Sequence, residues 1–396
     1  MNLSEIQQAL REHNLEGWLL YDFRGRDALA MKILGLDPAK FATRRWYYFI
    51  PREGEPVKLV SMVEQTTLDA LPGKKLRYLA WTEMHAQIKA MLGNRKRIAM
   101  NYSPLNHIPY TSMVDAGTIE LIRSLGYEPV SAADLIQQFE ALIDEQGFRS
   151  HAEAGEIVLK IKDEAFARIG EAVRGGRKVT EYEIQQFIMR RFEEEGLTCE
   201  GHGPIVGINE HPANPHFEPT PQNSYVFKPG DMVLIDLWAK QNRPGAIYYD
   251  VTWCGYLGDK PPAKYLEIFN TVRDARKAAK QLVVQKFAAG EPCYGWEVDD
   301  ACRNVVKKAG YGEYFIHRTG HSIGVNVHGN GVNIDNLETR DERRLVPGVC
   351  FSIEPGIYLE GEMAARSEIN VFITPGGRGE VVVCGEEQEE LILVGC

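Results

Sequence analysis

Five charged residues in the second half of the chain have the types and the surroundings of metal ligands. They are Asp236, Asp250, His321, Glu354 and Glu368, and each lies in a short apolar segment with the composition of a strand. An isolated carboxylate in such a segment costs several kcal/mol to bury, or it becomes protonated. Four carboxylates and one imidazole placed in this way favour a shared cation. The sequence therefore predicts a metal site.

The two aspartates are expected on the two strands of one hairpin. Residues 231–239 have the pattern of a strand, residues 240–245 that of a turn, and residues 246–256 that of a return strand. This hairpin can place Asp236 and Asp250 opposite one another. Either aspartate alone could be a solvated strand residue or a turn cap. As a pair among apolar residues they favour a metal, because facing carboxylates repel each other unless a cation lies between them.

Three histidines follow one another at intervals of four and seven positions, as His317, His321 and His328. Gly320 and Gly324, together with the β-branched residues between the histidines, favour a strand with glycine turns over a helix. On an extended segment His321 and His328 would point to opposite faces, so one or two histidines at most could bind a metal. A lone histidine here would be a hydrogen-bonded core residue, but three beside four candidate carboxylates favour a ligand.

The two glutamates complete an oxygen-rich set of candidate ligands. Glu354 precedes Pro355, which holds it extended, and Glu368 lies in an apolar segment. A strand-edge charge is the alternative for each, and Glu368 taken alone does not decide between the two readings. Carboxylates with one imidazole suit hard or borderline divalent ions and can hold two of them. Without thiolates in the set a structural zinc site is disfavoured, whereas two ions together indicate hydrolysis by an activated water.

Length and charge place these residues in a large protein that does not bind nucleic acid. A chain of 396 residues exceeds what one core usually serves, so two domains are expected. The net charge of −10 disfavours nucleic-acid and anionic-membrane partners. The N-terminus lacks a cationic leader with an apolar core, and no segment reaches the roughly 20 apolar residues that span a bilayer. Seven scattered cysteines fit reduced thiols, so a cytoplasmic protein is predicted.

The pattern of elements predicts a mixed α/β fold in two domains, residues 1–147 and 148–396, divided at the polar stretch 144–150. The first domain is expected to contain a helix at 3–13 and strands at 17–21, 46–50, 56–60 and 97–100. The second is expected to contain a long helix that ends at Gly175, a helix opened by a capping box of Thr180 and Glu183, and helices at 265–287 and 296–309. Strands between and after these helices would carry the candidate ligands.

The order of the five ligands and the motifs around them resemble the dinuclear metallopeptidases of the methionine aminopeptidase, aminopeptidase P, prolidase and creatinase superfamily. The motifs are Leu234-Ile235-Asp236-Leu237, Asp250-Val251-Thr252, His317-Arg318-Thr319-Gly320-His321-Ser322-Ile323-Gly324, Ser352-Ile353-Glu354-Pro355-Gly356-Ile357-Tyr358 and Arg366-Ser367-Glu368. The resemblance covers residues 150–396 and extends more loosely over the first 145 residues. It implies a pita-bread catalytic domain behind a smaller creatinase/prolidase-like α/β domain, and a homodimer.

The resemblance also implies a role for each matching residue. Asp236 and Asp250 would bind metal, Asp250 and Glu368 would bridge two divalent ions, and His321 and Glu354 would complete the set. Manganese is the favoured ion, with cobalt or zinc as alternatives. Glu354 would in addition transfer a proton from the attacking water. The matching histidines would be His216 on the substrate side, His328 beside the tetrahedral intermediate, and His317 as a supporting or substrate-binding residue.

The implied activity is hydrolysis of the Xaa-Pro bond, in dipeptides as in prolidase or in longer peptides as in aminopeptidase P. A dipeptidase must bind the free carboxylate of its substrate, for which arginine offers two parallel hydrogen bonds. Arg340 and Arg366 match the arginines that would do so, although Arg340 lies in a charged run that could simply be solvated. A non-catalytic binding module on the same fold is the remote alternative. Such proteins would be expected to lose ligands, whereas this sequence retains all five.

Two features depart from the family pattern. Asp236 and Asp250 are 14 positions apart, a longer interval than in the relatives, which predicts a longer hairpin tip. Ile369 stands where relatives usually carry an acidic residue after the last glutamate. Both departures bear on the residues that surround the metals.

Overall fold

The structure, a computed structural model, describes residues 2–40 and 42–395. Its chain separates into two compact units, Met1–Ala141 and Leu142–Cys396. The polar stretch 144–150 was expected to precede the long helix, but the helix begins inside it at Glu145. Asp144 caps the helix by accepting a hydrogen bond from the amide of Gly147.

The N-terminal unit is a mixed α/β layer structure. Its strands are β1 Gly17–Asp22, β2 Trp46–Pro51, β3 Val57–Ser61, β4 Lys74–Tyr78, β5 Arg97–Met100 and β6 Glu128–Ser131, in the sheet order β4-β3-β2-β1-β5-β6. Its helices are α1 Leu3–Glu12, α2 Ala28–Leu34, α3 Trp81–Leu92, α4 Ala116–Ser124 and α5 Ala133–Ile136. Trp18 and Leu20 of β1 pack into one apolar cluster, while Leu19 and Tyr21 pack into another. The sheet is therefore covered on both faces, and the elements predicted for this unit are present.

Among its described residues the C-terminal unit has four α-helices, α6 Glu145–Arg174, α7 Glu181–Glu194, α8 Ala263–Ala289 and α9 Gly295–Lys308. Its strands are β7 Leu197–Thr198, β8 Ile205–Ile208, β9 Met232–Gln241, β10 Tyr249–Leu257, β11 Ser322–Ile323, β12 Cys350–Ile353, β13 Gly356–Leu359, β14 Met363–Arg366, β15 Ile369–Ile373, β16 Val381–Cys384 and β17 Ile392–Val394. The helices agree with prediction to within a few residues at the N-termini of α8 and α9 and at the C-termini of α6, α8 and α9. The capping box of Thr180 and Glu183 is formed at the start of α7.

Three sheets form the frame of this unit. One has the order β17-β10-β9-β7 with β8 also paired to β9, the second has the order β11-β12-β15-β16, and β13 pairs with β14. One apolar core joins α6 and α7 to the first sheet, and a second joins α8 and α9 to strands β12–β15. None of the helices in the described ranges is long and apolar enough to cross a membrane. The six described cysteines are buried free thiols, and Cys396 lies outside the described residues.

The hairpin of β9 and β10 forms as predicted, but its register differs. Asp250 pairs with Trp238, and Asp236 pairs with Thr252. The two aspartates are therefore diagonal neighbours on one face of the ladder rather than directly opposite. Strand β9 extends two residues further into the tip than expected and β10 begins three residues later, so residues 242–248 make the connection and the pairing shifts by two positions.

The extended strand predicted around the histidines is wrong. Strand β11 contains only Ser322 and Ile323, after which the chain turns back, so that the amide of Gly329 donates to the carbonyl of Ser322 at 2.7 Å. His321 and His328 consequently lie side by side, with ring centroids 4.3 Å apart. The expectation that they face opposite ways fails because the chain bends directly after Ile323, where the amide of Gly324 donates to the carbonyl of Asn326 at 3.1 Å.

Candidate active site

The five predicted ligands lie on strands or directly beside strand ends that converge on one point. Asp236 and Asp250 lie on β9 and β10, His321 precedes β11, Glu354 follows β12, and Glu368 lies between β14 and β15. The first two sheets are joined here, because the amide of Glu368 donates to the carbonyl of Thr252 at 3.2 Å. The side chain of Asn370 accepts from the amide of Asp250 at 2.9 Å. Each ligand thus sits where a strand begins or ends, or on a central ladder, and is fixed by backbone pairing.

A compact group of three potential ligands forms the centre of the site. One ligand atom each from Asp250, His321 and Glu368 lies within 4.8 Å of the other two. His321 Nε2 is 3.6 Å from Asp250 Oδ2 and 3.3 Å from Glu354 Oε1. Asp236, Asp250, His321 and Glu368 are all buried. We refer to these four residues with Glu354 as the carboxylate–histidine cluster.

The cluster contains buried oxygens that no protein group satisfies. Asp236 Oδ1, Asp250 Oδ1 and Glu368 Oε1 have no hydrogen-bond partner among the described residues. Most buried polar atoms in folded proteins are hydrogen-bonded, and the free lone pairs of three carboxylates at one place call for a cation. The donor set of carboxylate oxygens and one imidazole fits a divalent metal ion.

Burial also sets the protonation of the cluster. It raises the pKa of Asp250 and of Glu368 well above their ordinary values, and the charges of neighbouring carboxylates raise them further. Burial raises the pKa of Glu354 as well, against the opposing effect of His321. Burial lowers the pKa of His321, so its imidazole is neutral and able to bind a metal. A nearby cation would restore the charged form of the carboxylates.

Arg366 holds one side of the cluster. Its guanidinium contacts the carboxylate of Asp236 and donates to Thr252 Oγ1 at 3.0 Å and to the Tyr358 hydroxyl at 2.9 Å. Thr252 in turn donates to Glu368 Oε2 at 2.9 Å. Thr252 and Tyr358 were not among the predicted site residues. Their positions two residues after Asp250 and four residues after Glu354, inside the ligand motifs, were the available signal.

His317 supports the same network from the other side. Its Nε2 is 2.7 Å from the Tyr358 hydroxyl and its Nδ1 is 2.6 Å from the carbonyl oxygen of Arg318. The carbonyl can only accept, so Nδ1 carries the proton and Nε2 accepts from Tyr358. Burial lowers the pKa of His317 to about 3, which keeps the ring neutral.

The two remaining histidines lie at the rim of the cluster. The His328 ring is nearly perpendicular to that of His321, at 82°. The charge of His321 and then partial burial lower the pKa of His328 to about 3, and His216 is near enough to add to this shift. His216 is exposed on the loop after the short helix His211–Ala213, which packs against β13 and β14. His328 thus contacts the cluster through His321, and His216 lies near His328.

The comparison with known families places this site in a recognised class. The sequence profile of metallopeptidase family M24 matches residues 149–375. The chain belongs to metallopeptidase family M24. All five candidate ligands lie within the matched segment, and the predicted enzyme class is confirmed.

Individual M24 relatives resemble the chain over most or half of its length. It is 28% identical to a probable dipeptidase PepE of Mycobacterium tuberculosis strain H37Rv, over 85% of this chain and 83% of the relative. It is 34% identical to a Xaa-Pro dipeptidase of Lactobacillus helveticus, over 54% of each chain. The crystal structure of dipeptidase PepE from Mycobacterium ulcerans is 25% identical, with a TM-score of 0.67, and covers 100% of this chain and 97% of that one. The predicted pita-bread fold behind a smaller α/β part is confirmed.

Arg340 does not join the cluster in this M24 chain. Its side chain is 64% exposed and forms an ion pair with Glu342 at 2.7 Å. Within the described residues no hydrogen bond or ion pair links it to the five ligands. The charged run around it is only partly solvated, because Asp341 and Arg343 are buried and paired at 2.6 Å. Arg340 thus lies on the outward side of an alternating segment.

Ile369, which stands where relatives usually carry an acidic residue, has an apolar environment. Ile369 is fully buried in the second core and pairs with Ile353 across β12 and β15. An acidic side chain in this position would lie among apolar residues. Asn370, one position later, supplies the polar contact to Asp250 instead.

Proposed function

We propose that this M24 metallopeptidase is a dinuclear metal-dependent dipeptidase that hydrolyses the Xaa-Pro bond. The observation that carries the proposal is the cluster of buried carboxylates, three of which leave an oxygen without a partner among the described residues. The substrate class is supported by the Xaa-Pro dipeptidase of Lactobacillus helveticus, which is similar over half of the chain. Retention of all five ligands argues against a binding module without catalysis.

The metals would be held by Asp236, Asp250, His321, Glu354 and Glu368, with Asp250 and Glu368 shared between two ions. The chemistry supplied by the bound ions would be polarisation of the scissile carbonyl and activation of a water. Manganese is favoured, with cobalt and zinc as alternatives, because the set has four carboxylates and one imidazole. The neutral His321 and the unpartnered carboxylate oxygens support this assignment.

Proton transfer is assigned to Glu354. Burial raises its pKa, so the carboxyl group can both accept a proton from the attacking water and release it to the leaving imino nitrogen. Its Oε1 also accepts from the Ser352 hydroxyl at 3.1 Å, which fixes its orientation. His216 and His328, at the rim, would donate hydrogen bonds to oxygen atoms that gain negative charge during the reaction.

We assign binding of the free carboxylate of the substrate to Arg340. Arg366 is already engaged by Asp236, Thr252 and Tyr358, and binding a substrate would require it to leave these partners. Arg340 is exposed and has one exposed carboxylate partner, which a substrate can displace at little cost. His317 would act through Tyr358 rather than on the substrate.

A second candidate activity is removal of an N-terminal residue ahead of proline in longer peptides. The exposed position of Arg340, without a contact to the described cluster, favours this alternative, since an aminopeptidase needs no partner for the free carboxylate. A putative Xaa-Pro aminopeptidase of Mycoplasma genitalium is 29% identical over 50% of this chain.

Removal and return of metal test the proposed chemistry. The protein is treated with a chelator, dialysed, and assayed on an Xaa-Pro dipeptide before and after addition of manganese, cobalt or zinc. We expect activity to disappear on chelation and to return with about two ions bound per chain, with manganese the most effective. Activity that survives complete removal of metal would refute the proposal.

Cellular location and assembly remain predictions. We propose a cytoplasmic homodimer as the working form: the buried free thiols of the six described cysteines support a reducing compartment, and the homodimer rests on the family resemblance.

A further inference from the structure

Glu181, the first residue of α7, is a fully buried carboxylate that the proposed mechanism does not use. It accepts hydrogen bonds from the amides of Ile208 and Tyr225, both at 2.7 Å, and its two oxygens are each 2.9 Å from His211 Nδ1. Ile208 ends β8, His211 begins the next loop, and Tyr225 lies beyond that loop. One carboxylate therefore joins both ends of the segment 208–225.

His211 is fixed by stacking as well as by this hydrogen bond. Its ring lies between those of Phe217, at 4.3 Å and 27°, and Tyr225, at 4.0 Å and 29°. The Tyr225 hydroxyl donates to Glu210 Oε1 at 2.9 Å, which fixes the outer ring. Because Glu181 holds the plane of the imidazole and two rings hold its faces, His211 has little freedom to rotate.

The residue whose position depends on His211 is His216. It immediately precedes Phe217, whose buried ring rests on His211, and its own amide donates to Asn214 Oδ1 at 3.1 Å. The short helix that begins at His211 packs against β13 and β14, the strands that carry Tyr358 and Arg366. A shift of His211 would therefore move Phe217, and with it the exposed side chain of His216 at the rim of the cluster.

We propose that Glu181 and His211 form a clamp whose task is to position His216 toward the substrate. Among the described residues no hydrogen bond or ion pair links Glu181 or His211 to the carboxylate–histidine cluster, so they are positioning residues that act through Phe217. This inference rests on the proposed function, since it assigns the clamp to a histidine with a role in Xaa-Pro hydrolysis. A purely structural role would stabilise the fold without a specific link to His216.

A double-mutant cycle separates the two roles. His211→Leu removes the hydrogen bond and the ring, and it is made both in the native chain and in the His216→Ala variant. We expect it to lower kcat/KM on an Xaa-Pro dipeptide by about 10-fold to 100-fold in the native chain, as for loss of supporting residues at metal sites. In the His216→Ala background we expect less than a twofold further loss. Bound metal should be unchanged in each variant.

Two further variants control for damage to the fold. His85→Leu removes a ring that meets Trp81 edge to face in the N-terminal unit and should leave kcat/KM unchanged. His211→Gln keeps a side-chain donor for Glu181 and should recover part of the lost rate. Equal losses in both backgrounds, or no loss in the native chain, would overturn the clamp.

Hydrogen exchange makes the result independent of the assumed reaction. If the native protein hydrolyses no Xaa-Pro peptide, the proposed function fails while the clamp is still tested by amide exchange in residues 209–217. His211→Leu should accelerate exchange there at least about tenfold, and His85→Leu should not, because the clamp joins both ends of this loop. Unchanged exchange in His211→Leu would refute the clamp.

Discussion

At the scale of single residues, the site depends on carboxylates that are expensive to bury. Asp250 and Glu368 are nearly inaccessible, their pKa values are raised by burial, and each retains one oxygen that is unpartnered within the described part of the chain. Such groups destabilise a protein unless something compensates them. A divalent ion would make the same residues useful, because it stabilises their charge and uses the free lone pairs.

Glu368→Gln tests this directly, since the amide keeps the size of the side chain and removes its charge. We expect bound metal to fall below the native amount and kcat/KM to fall by at least about 100-fold, because a neutral oxygen is a poor ligand. Metal analysis and steady-state kinetics measure the two effects. Glu360→Gln, an exposed glutamate in the turn after β13, is the matched control and should change neither. Native metal content in Glu368→Gln would contradict the assignment.

Arg340 decides how the substrate is bound. If it pairs with the free carboxylate, Arg340→Ala should raise KM for an Xaa-Pro dipeptide by about 10-fold to 100-fold, the usual worth of a hydrogen bond to a charged group. The same substrate with an amidated C-terminus is the internal control and should show no change. An unchanged KM for the dipeptide would remove Arg340 from the site and favour action on longer peptides.

At the scale of elements, the strands were easier to predict than the register in which they pair. The hairpin of β9 and β10 follows from its alternating apolar pattern, but its register depends on how far the ladder extends into the tip, which moves Asp236 opposite Thr252. The segment after His321 has strand-forming residues, yet it bends because distant groups hold it. Arg343 donates to the carbonyls of Asn330 and Gly331, and Asn333 accepts from the amide of Ser322.

The hydrogen-bond network around Arg366 likewise could not be predicted from local sequence patterns. The motifs that resemble the family indicated all five residues of the carboxylate–histidine cluster, because each lies in a short distinctive segment. The contacts of Arg366 with Asp236 and Thr252 join residues more than 100 positions apart. Spacing along the chain cannot reveal such pairs, and Arg366 was accordingly predicted to bind substrate although its guanidinium is engaged within the protein.

His151 on α6 gives the C-terminal unit a dependence on pH. Burial lowers the pKa of this ring to about 4, and its Nδ1 donates to the Tyr248 carbonyl at 2.5 Å. The unfolded chain binds the proton more readily, so the stabilisation by neutral His151 is present above about pH 6.5 and is lost as pH falls toward 4. The loss amounts to about 3 kcal/mol, from about 1.4 kcal/mol for each unit of pKa shift.

We therefore expect His151→Gln to lose less unfolding free energy than the native chain between pH 7 and pH 4.5. Urea unfolding of both proteins at each pH gives the difference, and effects of metal release largely cancel in the comparison. His85→Gln removes a ring that meets Trp81 edge to face in the N-terminal unit, and this variant should behave like the native chain. If the free energy of unfolding falls equally with pH in His151→Gln and in the native protein, His151 is not the source of the pH dependence.

At the scale of the whole molecule, the C-terminal unit is built so that two sheets meet at the cluster. Separate apolar cores lie behind the two halves, and the ligands come from strands of both. Rigid strands suit a site that must hold charged groups close together. The loop that carries His216 and the charged segment that carries Arg340 lie outside these strands, so the residues proposed to contact the peptide can change while the proposed metal ligands stay fixed.

The central claim is that the cluster hydrolyses the bond before proline in dipeptides with the help of bound metal. The most direct measurement compares kcat/KM for an Xaa-Pro dipeptide and an Xaa-Pro-Xaa tripeptide, each with manganese restored and with metal removed. The account predicts faster cleavage of the dipeptide, and no cleavage of either peptide without metal. Faster cleavage of the tripeptide would contradict the dipeptidase assignment, and cleavage without metal would contradict the role of the cluster.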